Sequence, residues 1–136
     1  CPIYLKESNF DRWLSPSNMD KASAYELLKQ KEATAIFPEG TRSLDGSLQS
    51  PQAGTGMIAI KSKARVVPTR IFGAFEAYGR AQTLPLLGIP IHVAYGKPLG
   101  NDDLDTGEAN PDRYLEASKR IMQAIKSIRA PKNLII

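Results

Sequence analysis

Cysteine is almost missing from this sequence. The 136 residues hold one, Cys1, so no internal disulfide can form and a disulfide scaffold is excluded. Histidine is equally scarce. With one His and one Cys, no Cys/His metal spacing can be assembled, and no metal site is expected. No Asn-x-Ser/Thr acceptor occurs, and no secretory or lipidation signature is legible. The longest near-apolar stretch, Leu84 to Val93, is broken by Pro85, Gly88 and Pro90. It falls well short of the roughly 20 apolar residues that a membrane-spanning helix needs. Trp13, Tyr25 and Tyr78 are not interleaved with basic residues as a base-stacking platform requires, so nucleic acid is not an expected partner. Gly-x-Ser-x-Gly and P-loop motifs are absent, and Gly54-Thr55-Gly56 lacks the third glycine of a dinucleotide fingerprint, position 59 being Ala59.

What is present is globular: 42% hydrophobic and 24% charged residues, with 10 Gly and 10 Pro in no low-complexity tract. The length suits one domain, which can bury roughly two-thirds of its unfolded surface. A net charge of +4 fits an anionic partner, such as a phosphate group or a membrane surface, without requiring one.

Strand and helix patterns alternate along the chain. Ile3-Tyr4-Leu5 reads as a short strand remnant. Asp20 can cap a helix from about Lys21 to Lys31 with Ala24, Leu27 and Leu28 on one face. Thr34-Ala35-Ile36-Phe37 reads as a buried strand stopped by Pro38. A polar loop to about Ala53 follows, then a short helix from Gly54 to Lys63 carrying Met57, Ile58 and Ile60. Arg65 to Phe72 and Pro90 to Tyr95 read as strands. Asn110 as N-cap and Pro111 at the first helical position predict a helix to about Arg129, with Tyr114, Ile121, Ile125 and Ile128 at helical spacing. That helix either packs on the sheet with a solvated basic face or offers a membrane-binding face. Strands separated by helices make the expected fold α/β.

The most informative stretch is Phe37-Pro38-Glu39-Gly40-Thr41-Arg42-Ser43. A strand ending at Phe37 would throw a polar loop off its carboxyl end, where open α/β sheets usually bind ligands. Gly40 lets the backbone approach a ligand closely. Arg42 carries a planar fork of donors suited to bidentate phosphate recognition, and Thr41 and Ser43 add hydroxyls. Glu39 would repel phosphate unless it orients Arg42 or accepts from a substrate hydroxyl. Two readings stay open on these residues: a phosphate-binding loop, or a strand-to-loop connection with an internal Glu–Arg pair.

That heptapeptide resembles the third motif of the glycerolipid acyltransferases, of the 1-acylglycerol-3-phosphate (lysophosphatidic acid) type. Val66-Val67-Pro68 resembles the fourth motif, and Gly54 with Ala59-Ile60-Lys61 resembles the helix after the phosphate loop. Tyr95-Gly96-Lys97-Pro98-Leu99 is similar to the closing turn, and Phe10-Asp11-Arg12 to the end of the second motif. The usual apolar lead-in to that second motif is replaced by Lys6-Glu7-Ser8-Asn9. The resemblance implies that Arg12 and Arg42 hold the acceptor's phosphate and that Glu39, Gly40 and Thr41 shape its pocket, with Ser43 counted among the substrate-binding residues. It implies that Pro68 shapes the groove of the acyl donor. The implied reaction moves a fatty acyl group from acyl-CoA or acyl carrier protein, as co-substrate and with no further cofactor, to the free hydroxyl of 1-acylglycerol-3-phosphate in phospholipid synthesis.

The family's base is a His followed five positions later by an Asp. Here the residue five positions after His92 is Lys97, and His92 reads as an ordinary strand histidine. No catalytic residue is therefore expected within the chain. Residues 1–136 are expected to be the C-terminal portion of a single acyltransferase domain with a mainly parallel sheet, inactive alone, the first motif lying in a missing N-terminal part of the same protein. An opening of Cys-Pro-Ile rather than Met agrees with that expectation. The expected partners are a lysophospholipid acceptor, an acyl-thioester donor and the cytoplasmic face of a membrane, reached peripherally or through an anchor outside the chain. The alternative is a non-catalytic module that binds phosphate or phospholipid head groups.

Overall fold

The computed structural model describes residues 21–107, 110 and 112–133. The readings placed on Ile3-Tyr4-Leu5, Phe10-Asp11-Arg12, Asp20 and Pro111 fall outside them.

Helix α1 spans Lys21–Lys29 and buries Ala24. It ends in a Schellman arrangement. Lys31 takes the left-handed conformation at φ 61°, its N–H donates to Leu28 O at 3.0 Å, and Glu32 N–H donates to Leu27 O at 3.0 Å. Burial then alternates from Glu32 to Phe37, with Glu32, Thr34 and Ile36 half-buried and Ala33, Ala35 and Phe37 exposed. That is the period of a strand. The expected Thr34–Phe37 strand is nevertheless not formed among the described residues, because no neighbouring backbone there pairs with it.

Helix α2, Ala53–Ser62, buries Ile58, Ala59 and Ile60 and stops at Lys63, again left-handed at φ 54°. Strand β1 (Thr69–Phe72) pairs antiparallel with β2 (His92–Tyr95), Thr69 opposite Tyr95 and Phe72 opposite His92. This differs from the mainly parallel sheet expected. The link between the strands holds only the short helix α3 (Ala74–Tyr78) and an apolar loop, with no crossover helix to bring the chain back in parallel. The ladder continues as a bridge between Val66 and Leu99. One extra residue on the Gly96-Lys97-Pro98 side makes a bulge there, and Gly96 N–H donates to Pro68 O at 2.8 Å. The segment expected as a turn is thus a kink in a ladder.

Helix α4 (Asn101–Leu104) buries Leu104 almost completely. Helix α5 runs Arg113–Ser127, starting later and ending earlier than its sequence suggests. Asn110 accepts from Asp112 N–H at 2.9 Å in a turn just ahead of the helix, whose N-cap position is taken by Asp112. The core lies between α2, α4 and α5: Ala59, Ile60, Leu104, Ala117, Ile121, Met122 and Ile125. Each large side chain buried there contributes about 1.5–3 kcal/mol. Of the two readings of α5, core packing is what its apolar stripe does.

Candidate functional site

The chain leaves Phe37, 68% exposed, and turns at once: Gly40 N–H donates to Phe37 O at 3.1 Å. Gly40 sits at φ 70°, a conformation that L side chains avoid. The loop then docks on the start of α2. Gln52 N–H donates to Pro38 O at 2.8 Å, and a Cβ on Gly40 would lie 2.5 Å from Gln52 Nε2. Between the two segments opens a cleft of about 230 Å³, lined by Ile36, Phe37, Pro38 and Gly40 and, across it, by Gln52, Gly54, Thr55 and Ile58, so that its polar groups lie among apolar walls. A helix N-terminus with a hydroxyl beside it suits an anion.

That N-terminus is fixed by the helix packed against it, α5. The fully buried Ser118 hydroxyl accepts from Gly56 N–H at 2.8 Å and donates to Gln52 O at 2.7 Å. It ties together the amide and the carbonyl of the helix's first turn. Gly56 permits the approach, since a Cβ there would fall 2.0 Å from Tyr114 O.

The remaining residues of the heptapeptide face elsewhere. Glu39 does not pair with Arg42: its Oε2 accepts from Gln49 N–H at 2.6 Å and ties down the end of the loop. The internal Glu–Arg pair that stood as one reading of this stretch is therefore not formed. Arg42 donates from Nη2 to Tyr78 O at 2.9 Å, with its guanidinium 5.0 Å from the centre of the Tyr78 ring. One of its five donors is used there. Thr41 is exposed. Ser43 Oγ donates to Ser47 O at 2.8 Å, closing a turn in which Asp45 Oδ1 accepts from the Ser47 hydroxyl at 2.6 Å and its N–H at 3.0 Å. Those bonds to Ser47 hold the Asp45 carboxyl below its ordinary value.

Pro68 lies fully buried beneath the bulge, in contact range of Gly96. His92 is half-buried opposite Phe72 in the ladder. Arg12 lies outside the described residues. The structure thus gathers Pro38, Gly40 and the start of α2 around one cleft, sets Arg42 against the end of α3 and buries Pro68 beneath the bulge. Sequence reasoning missed Gln49, Gln52, Tyr78 and Ser118. Only Gln52 and Ser118 left a trace: a polar residue just ahead of Ala-Gly-Thr-Gly, and a small polar residue on an apolar helix stripe.

A profile described as Acyltransferase matches residues 9–72. The 1-acyl-sn-glycerol-3-phosphate acyltransferase of Cocos nucifera is 33% identical over 96 residues, covering 71% of this chain and 30% of that protein. The chain belongs to the glycerolipid acyltransferase family. The protein of the same name from Limnanthes douglasii is 36% identical over 81 residues, 59% of this chain and 28% of its own length. Among solved structures, the 1-acyl-sn-glycerophosphate (LPA) acyltransferase from Thermotoga maritima superposes with a TM-score of 0.57 at 23% identity. It covers 83% of this chain and 46% of that one, and shows a shared α/β acyltransferase fold. The chain therefore matches less than a third of the curated glycerolipid acyltransferases named here.

Proposed function

We propose that this chain supplies the acceptor-phosphate side of an enzyme that transfers a fatty acyl group from acyl-CoA or acyl carrier protein to the free hydroxyl of 1-acylglycerol-3-phosphate. The observation that carries the reading is the cleft between Pro38–Gly40 and the start of α2, formed by the heptapeptide shared with the family. In this reading the phosphate enters beside Gly40 and Thr55. Arg42, with Arg12, closes on it through the donors that Tyr78 leaves unused. Glu39 holds the loop, Thr41 offers an exposed hydroxyl next to Gly40, Ser43 closes the turn that follows Arg42, and Pro68 acts through packing under the donor side. No residue among the 136 forms a His-x4-Asp pair, so the reading assigns the base to residues outside them. It likewise places residues 32–37 as one strand of a mainly parallel sheet, which their alternating burial supports. The site works at a membrane face, where acceptor and product reside, with no cofactor beyond the thioester.

Acyl transfer by the intact protein to lysophosphatidate, to a monoacylglycerol and to lysophosphatidylcholine tests this. The reading expects the phosphate monoester to be used in strong preference. Equal use of the acceptor lacking phosphate would reject it.

A further inference from the structure

We infer that the loop Leu84–Ile91 is a bilayer-insertion element. The acyl-transfer reading does not require it, and the two stand or fall separately. Leu87 is 93% exposed and Leu84 76%, with Leu86 and Ile91 also more than half exposed. Isolated exposed apolar residues are ordinary, whereas a consecutive run of them marks an interaction surface. The loop is a fixed spur. Leu86 N–H donates to Ala77 O at 2.7 Å, and Gly79 N–H donates to Gln82 Oε1 at 2.7 Å.

Its chemistry points to hydrocarbon. From Leu84 to Ile91 no side chain carries a polar atom, so nothing there specifies a protein partner by hydrogen bonds. Pro85 and Pro90 remove two backbone donors that lipid would leave unpaired. Tyr78, exposed, lies at the root of the loop, where Leu86 N–H donates to the neighbouring Ala77 O, as interfacial aromatics do. No acidic residue occurs from Ala77 to Asn101, while Arg80 and Lys97 are exposed, matching an anionic head-group layer. Arg42 rests on Tyr78 at the root of the loop, so shallow insertion of the tip brings that guanidinium toward head-group level.

The test puts an environment-sensitive nitrobenzoxadiazole label on Leu87→Cys, and separately on Gln123→Cys, on the solvent face of α5, in the intact protein carrying Cys1→Ser. Vesicles of phosphatidylcholine mixed with phosphatidylserine are added, and bound protein is measured by sedimentation. Insertion predicts a blue shift at position 87 that persists at high salt, quenching there by brominated lipid, and no change at position 123. An unshifted label at position 87 on vesicle-bound protein overturns the inference. So does a label already blue-shifted before vesicles are added, which would mean that protein covers the loop.

Discussion

Gly40 shows most clearly how one residue sets the site. Its φ of 70° costs an L side chain about 1–2 kcal/mol, and a methyl there would also press on the Gln52 amide. Gly40→Ala should therefore lower unfolding stability by about that amount, and adding Gln52→Ala should not restore it, because the backbone strain remains. Denaturant titration checks this, and unchanged stability would mean that the loop has another conformation open to it. The heptapeptide itself was legible in the sequence because glycine, arginine and hydroxyl residues in one short loop have a recognisable chemistry. The partners were not. Glu39 finds Gln49 and Arg42 finds Tyr78 only because the fold brings distant backbone within reach.

Among the elements, α2 and α5 depend on each other. Ser118→Ala removes the bridge between Gly56 N–H and Gln52 O and leaves a buried hydroxyl-sized gap, for a loss of about 1–3 kcal/mol. Thermal unfolding measures it, and the wall of the cleft should loosen with it. The start of α5 is held instead by charge. Arg113 Nε donates to Asp105 Oδ1 at 2.6 Å and Nη2 pairs with Oδ2. The Arg113 hydrogen bond, then Gly107 N–H, hold the Asp105 carboxyl below its ordinary 3.8. A depressed carboxylate contributes stability above its unfolded value and loses it as pH falls through the folded one. Asp105→Asn should accordingly melt earlier than wild type at neutral pH, with the difference closing below about pH 4. A difference that does not change with pH would contradict the pairing. The one-turn helices α3 and α4 are too short to show a period and were missed, whereas helices α1, α2 and α5 and both paired strands were readable from their apolar patterning. The strand direction was not, because an antiparallel return depends on how the loop after α3 folds. The true start of α5 was hidden by Asn110, whose side chain serves a turn as readily as a cap.

At the scale of the whole molecule, one short core of α2, α4 and α5 braces a loop and a helix N-terminus around a cleft. The side chain best suited to phosphate, Arg42, rests outside that cleft against Tyr78 at the end of α3. The central claim is that this guanidinium reads the acceptor's phosphate. Arg42→Lys in the intact protein tests it most directly, because the charge is kept and only the planar fork is lost. The account predicts that kcat/KM for lysophosphatidate falls about tenfold or more, roughly 1.4 kcal/mol, while the dependence on the acyl donor at saturating acceptor stays near wild type. An unchanged dependence of rate on acceptor concentration would contradict it.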